Sequence, residues 1–209
     1  MNKYATDKSG KFSKFSTKRV LLESLPQGKD ILDVGCNDGF FGRESLNNRF
    51  WGLDIDPEAL EVAHNHYMGT LEYDLNYCKP LPWEKKFDVI IFADVLEHVV
   101  DPPKVLKYFT DNYLSPTGVV LISLPNIANW QPRLNLLFGR FDYTSTGIMD
   151  STHLHFYTYK TAISLVSACN LCNTKVFFGA DVFGPLIKLF PFLRNLLSTN
   201  IILECHKHL

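Results

Sequence analysis

In "ILDVGCNDGFFG", residues 31–42, a short apolar run ends in Asp33 and gives way to Gly35, Cys36, Asn37, Asp38 and Gly39 before a segment that could open a helix. Two glycines let the backbone turn tightly and come close to a ligand, and Asp33 leaves a carboxylate at the end of the run. About twenty residues on, "WGLDID" places Asp54 where a carboxylate can accept both hydroxyls of a ribose. The pair points to a nucleoside cofactor. The turn does not supply G-x-G-x-x-G, and an aspartate close to a helix N-terminus repels a pyrophosphate. A cationic, phosphate-free nucleoside therefore suits it better than a dinucleotide.

Two further groups of residues could handle a proton or a metal ion. "FDVIIFADVLEHVVDP", residues 87–102, carries Asp94, Glu97 and His98 at spacings that share faces of one helical turn. "THLHFYT", residues 152–158, carries His153 and His155, which would point the same way if the segment were extended. A histidine in an aromatic stretch is also a common packing residue.

Those residues need a scaffold that brings strand ends together. Apolar runs at 31–35, 50–54, 69–73, 87–92 and 119–124 alternate with helical candidates at 39–46, 57–66 and 102–113. Alternation of this kind predicts a mostly parallel sheet with helices on both faces. In such a sheet ligands sit beyond the carboxyl ends of the strands, at Asp33 to Gly35, Asp54, Asp74, and Ala93 with Asp94. Residues 125–158 break the pattern with a long stretch rich in aromatic and apolar residues, which reads as a lid or acceptor-binding insertion. A helix at 159–169 and strands at 174–180 and 200–206 follow. One domain over residues 1–209 is expected, with its core at 28–124, the insertion at 125–158 and the remaining helix and strands at 159–209.

On these residues the chain resembles the class I S-adenosylmethionine-dependent methyltransferases. Their D-x-G-C-G-x-G motif is matched by Asp33, Gly35, Cys36 and Gly39, with Asn37 in place of the middle glycine, and the L-E-H run after the fourth strand resembles that of ubiquinone-type O-methyltransferases. Residues 123–162 resemble a narrower bacterial group associated with sugar and surface-glycan pathways, on Thr152, His153, Leu154, Phe156, Tyr157 and Thr158. The resemblance implies a Rossmann-like α/β sheet of the seven-strand methyltransferase type. It implies S-adenosylmethionine bound by Asp33, Gly35, Cys36, Gly39, Asp54, Asp74 and Ala93. The expected reaction is O-methylation of a sugar or glycan intermediate, with another small hydroxylated metabolite such as a quinone precursor as the alternative. His153 is the candidate base, assisted by Asp94 and His98. A rival role, taken from metal-dependent relatives, has Asp94, Glu97, His98 and His153 holding a divalent ion. A cofactor-binding module without catalysis is a reading from another class.

Composition sets bounds on all of this. Net charge is −1, from 21 basic and 22 acidic residues, so no whole-chain field gathers nucleic acid, and such a partner is not expected. Five cysteines, an odd number, read as reduced thiols of a cytoplasmic protein. Residues 1–15 have no apolar stretch of the kind a secretory signal requires. "VFGPLIKLFPFLRNLL", residues 182–197, is apolar on nearly every side of any helix it could form, with Pro191 as a breaker. It is expected to pack on the sheet, or else to meet a second subunit or a membrane surface.

Overall fold

A computed structural model describes residues 13–208. In chain order its elements are α1 (Thr17–Ser24), β1 (Asp30–Val34), α2 (Phe40–Glu44), β2 (Arg49–Asp54), α3 (Pro57–Ala63), β3 (Gly69–Glu72) and β4 (Phe87–Ala93). They continue with α4 (Pro102–Tyr113), β5 (Leu114–Pro125), α5 (Trp130–Leu137), α6 (Tyr159–Ala168), β6 (Leu171–Gly179), α7 (Gly184–Leu189), α8 (Arg194–Leu197) and β7 (Asn200–Lys207). One sheet has the strand order β3-β2-β1-β4-β5-β7-β6. β1 to β5 are parallel, and β7 runs antiparallel between β5 and β6.

The side chains of each central strand alternate between two apolar layers. Leu32, Val34, Ile90, Phe92 and Ile122 enter one layer, where Leu106 and Phe109 of α4 and Val166 of α6 meet them. Ile31, Val89, Ile91 and Leu121 enter the other, against Leu21 of α1, Phe40 and Phe41 of α2 and Leu60 of α3. Burial on both faces is why these strands read as unbroken apolar runs, each large side chain contributing roughly 1.5–3 kcal/mol. The helix starts are written locally. Asp56 accepts from the amides of Glu58 and Ala59 ahead of Pro57, and Asp101 accepts from Lys104 ahead of Pro102. Thr158 and Thr161 form a reciprocal cap on α6.

Two helices go beyond the sequence expectation. α1 is capped by Ser16 and buries Leu21, and its Thr17 lies so close to Gly179 at the end of β6 that a Cβ there would meet Thr17 Oγ1. α5 interrupts the insertion, capped by Asn129, and none of its residues is buried. The insertion is closed at its base, where the Ile127 amide donates to the Tyr157 carbonyl at 2.9 Å. Between β6 and β7 the chain forms α7, a 3-10 turn that starts at Pro191, and α8, so the proline ends the first helix as expected. Of the expected packing of this segment on the sheet little is realised: Val182, Leu189, Phe190 and Phe192 are exposed. No helix is long and apolar enough to cross a membrane among the described residues. Residues 1–12 lie outside the described part, so the reading of the N-terminus as lacking a signal is largely untouched by the structure.

Candidate active site

The turn after β1 is built from left-handed backbone. Gly35, Asn37 and Gly39 have φ of 78°, 47° and 77°. Asparagine tolerates this region better than most residues, which answers the departure from the family's glycine. The glycines are also demanded by packing, since a Cβ on Gly35 would stand 2.6 Å from Val95 Cγ2 and one on Gly39 2.8 Å from Ala63 Cα. The amides of Gly35 and Cys36 donate to the Leu53 carbonyl at 2.8 and 2.9 Å, which ties the turn to the end of β2. Cys36 is buried beside Gly52 and the core, so what it can offer a ligand is backbone.

Asp54, at the tip of β2, accepts from the Asn37 amide at 2.7 Å and the Asp56 amide at 3.0 Å. Each carboxylate oxygen is thereby fixed with a lone pair to spare, a suitable acceptor for a ribose diol. Asp33 is buried beneath the turn, where Tyr67 donates its hydroxyl to Oδ2 at 2.6 Å while Oδ1 has no hydrogen-bond partner. Burial, opposed by the Tyr67 hydrogen bond, pushes its pKa up to about 7. Asp74 follows β3 and accepts from the Asn76 amide and side chain, both at 2.9 Å, so it caps a short 3-10 turn.

β4 ends in Ala93, and Asp94 then takes φ 53°, an uncommon conformation for a residue with a Cβ. Its Oδ1 is gripped by Ser123 Oγ at 2.7 Å, from the end of β5, and by Asn200 Nδ2 at 2.8 Å, from the start of β7. Lys18, in the first turn of α1, places its ammonium 5.0 Å from the centre of the Phe40 ring. Burial lowers its pKa against the raising effect of Asp38, Asp94 and Asp33, and no ion pair joins it to any of them among the described residues. Lys18, Ser123, Asn200 and Tyr67 were invisible to motif reading, because each comes from a distant element and belongs to no local pattern.

A second cluster lies beside Asp94. Leu96 to His98 form a single 3-10 turn that buries Glu97, 0% exposed. Both Glu97 carboxylate oxygens are without a hydrogen bond. His153, 8% exposed, approaches from the insertion, with Nε2 4.0 Å from Glu97 Oε1. Its Nδ1 lies 3.1 Å from the Ile148 carbonyl, an acceptor only, so that nitrogen carries a proton. His98 Nδ1 is likewise 3.2 Å from the Thr152 carbonyl, and the two imidazoles pack edge to face at 4.8 Å. Glu97, His98 and His153 each offer one ligand atom within 4.8 Å of the others. Asp94 is not in this group, which corrects the four-ligand reading: Ser123 and Asn200 hold it away. His155 also departs from expectation. The 152–156 segment is irregular rather than a strand, so His155 does not follow His153 but reaches the Val100 carbonyl at 3.3 Å. The amides of Leu154 and His155 both donate to the Glu97 carbonyl and pin the insertion to the cluster.

Comparison with known proteins names what this arrangement belongs to. Residues 9–176 match the family model for a methyltransferase domain. A ubiquinone biosynthesis O-methyltransferase of Actinobacillus pleuropneumoniae is 28% identical over 84% of this chain and 78% of its own length. One from a Shewanella species is 34% identical over 79% of this chain and 72% of its own. Among solved structures, an S-adenosylmethionine-dependent methyltransferase from Mesorhizobium loti superposes with a TM-score of 0.64 at 17% identity, covering 92% of this chain and 98% of that one, a likeness of fold. With its matching turn, strand-end carboxylates and sheet order, the chain belongs to the class I methyltransferases and uses S-adenosylmethionine.

Proposed function

We propose that the chain methylates a hydroxyl group of a small acceptor, and that the hydroxyl proton is removed at the Glu97, His98 and His153 cluster. The observation that carries this reading is the Glu97 carboxylate, fully buried, without a hydrogen bond and 4.0 Å from Nε2 of His153. A carboxylate so deeply buried is favourable only when a proton or a cation accompanies it, and burial indeed raises the Glu97 pKa.

S-adenosylmethionine supplies an electrophilic methyl group on a sulfonium. The chain's share is to bind the two reactants in line, to exclude water and to move one proton. Lys18 and Asp33 offer opposite charges to the amino-acid end of the cofactor, the first to its carboxylate and the second to its ammonium. Asp54 takes the ribose and Asp74 the adenine amino group, while the backbone of Gly35, Cys36, Gly39 and Ala93 shapes the pocket. Asp94, fixed by Ser123 and Asn200, holds the boundary between cofactor and acceptor. As the methyl group leaves sulfur for the acceptor oxygen, that oxygen's proton passes to Nε2 of His153. The Glu97 carboxylate then offsets the imidazolium charge, and His98 buttresses the ring.

The expected sugar acceptor rests on the "THLHFYT" resemblance. The broadly matching relatives are named for ubiquinone biosynthesis, which supports the alternative, a hydroxyl on a quinone precursor, and that acceptor class comes first. A second reading is favoured by the same unpaired carboxylate. One carboxylate and two imidazoles, each imidazole oriented by a carbonyl at Nδ1, form a donor set that fits a divalent ion. An ion there would lower the acceptor's pKa as a Lewis acid.

Turnover of a catechol-type phenol separates these readings. His153→Ala should lower the rate roughly 10²- to 10⁴-fold with cofactor affinity nearly unchanged. An unaltered rate removes the cluster from the reaction. Activity lost to chelator and restored by a divalent ion selects the metal-holding version of the cluster.

A further inference from the structure

Two apolar segments leave the sheet at the same end and stay uncovered. The first follows β5, and the second joins β6 to β7. Pro125 pairs with Asn200 in the register of β5 and β7, and Gly179 pairs with Asn200 in that of β6 and β7, so both segments start where Asn200 holds Asp94. Their roots are laced together. The Asn126 side-chain amide donates to the carbonyls of Asn195 and Ser198 at 3.0 and 3.1 Å, and that of Asn129 donates to the Ser198 carbonyl at 2.9 Å. Beyond these roots, Leu137 and Phe138 are 77% and 71% exposed on one segment, and Val182 and Phe192 are 85% and 78% exposed on the other. The rings of Phe190 and Phe192 rest on each other rather than on the core.

Charge decides between the partners such a face could take. Residues 182–192 contain Lys188 and no acid, and residues 130–143 add Arg133 and Arg140 against Asp142 alone. A second copy would bring this basic face against itself, whereas a surface of anionic headgroups complements it. α7 and α8 are far too short to span a bilayer, but short helices with apolar side chains and flanking lysine or arginine lie well in the interface plane. We propose that residues 130–143 and 182–192 form a docking face for an anionic lipid surface, with the mouth of the acceptor site beside it. The chain then meets acceptors presented from a membrane without crossing it.

The test is co-sedimentation of the whole chain with phosphatidylcholine vesicles, with and without phosphatidylglycerol. Binding that requires phosphatidylglycerol and weakens as salt is raised is the expected result. Leu189→Asp with Phe192→Asp should reduce that binding more than about tenfold, since both apolar anchors are lost, and Lys188→Glu should reduce it to a smaller degree. Both replaced leucine and phenylalanine side chains are exposed, and unchanged binding of S-adenosylhomocysteine by the double variant shows that its fold is intact. A wild-type chain left in the supernatant with both vesicle types overturns the proposal. So does vesicle binding that survives the double variant, or equal binding to neutral vesicles. A dimer by light scattering that the double variant converts to monomer assigns the face to a second copy instead.

Discussion

Lys18 is the residue on which the cofactor-binding argument is most exposed. It is half-buried, near three carboxylates and ion-paired to none of them among the described residues, with its ammonium beside the ring of Phe40 at the start of α2. Burial already lowers its pKa, so the positive charge it keeps is incompletely solvated and gains from an anionic partner. A hydrogen bond to a charged group contributes about 1.5–3 kcal/mol, or roughly 10- to 150-fold in affinity. Lys18→Met keeps the aliphatic stem over Phe40 while removing the charge. The variant should bind S-adenosylhomocysteine more weakly by that factor in calorimetry, yet bind methylthioadenosine, which lacks the amino-acid end, within about twofold of wild type. The comparison of the two ligands isolates the carboxylate contact from any general disturbance of α1. Equal weakening of both ligands, or of neither, would show that Lys18 does not read the amino-acid end. Failure of the wild type to bind either ligand would strike at the site itself rather than at Lys18.

Two other outcomes test the pocket. Asp54→Ala should weaken S-adenosylhomocysteine by roughly 10- to 150-fold, and because Asp54 also holds the Asn37 amide, Asp54→Asn should lose less by keeping one acceptor oxygen there; equal affinity for Ala and wild type would refute the ribose role. Asp33 has its folded pKa raised to about 7 from 3.8, so the stability it adds to the free protein is present below about pH 4 and is lost as pH rises through about 7. A cationic ligand needs the ionised form, and S-adenosylmethionine affinity should therefore climb with pH up to about 7 and then level off. A climb of the same size in Asp33→Asn would remove Asp33 from the explanation.

The parts of the fold that bury surface were legible, and the parts that do not were not. β1, β2 and β4 fell where the apolar runs placed them, because both faces of each carry core residues and the run is as long as the strand, and β3 fell there too although none of its residues is buried. α4 was expected at 102–113 and is found at Pro102–Tyr113, since a capping aspartate, two prolines and an apolar stripe all agree. α5 buries no residue, so no periodic stripe betrays it, and α1 buries little beyond Leu21. β5 starts at Leu114, earlier than expected, because "SPTG" reads as a turn although the chain stays extended there. The candidate site divides in the same way. Asp33, Asp54 and Asp74 are found by position, as each ends or follows a strand. Lys18, Ser123 and Asn200 converge through topology, and no spacing in the sequence connects them.

The departures from local preference in this chain gather around one opening. Asn37 and Asp94 hold left-handed backbone, Asp33 and Glu97 bury carboxylate oxygens without partners, and Gly35 fits against Val95 with no room for a side chain. Each such feature costs on the order of 1–3 kcal/mol in the free protein, and each persists only because the core beneath it fixes the chain. The core supplies that constraint through Leu53 and Tyr67 under the first turn, and through Ser123 and Asn200 around Asp94. The unpaired oxygens belong to carboxyl groups whose burial disfavours the anion and raises their pKa. Ionising either group is favourable only beside positive charge, which on the proposed reading a sulfonium amino acid brings to Asp33 and a proton or divalent ion to Glu97. The same electrostatic deficit thus appears twice, and the proposed function uses it at Asp33 for the cofactor and at Glu97 for the proton of the acceptor.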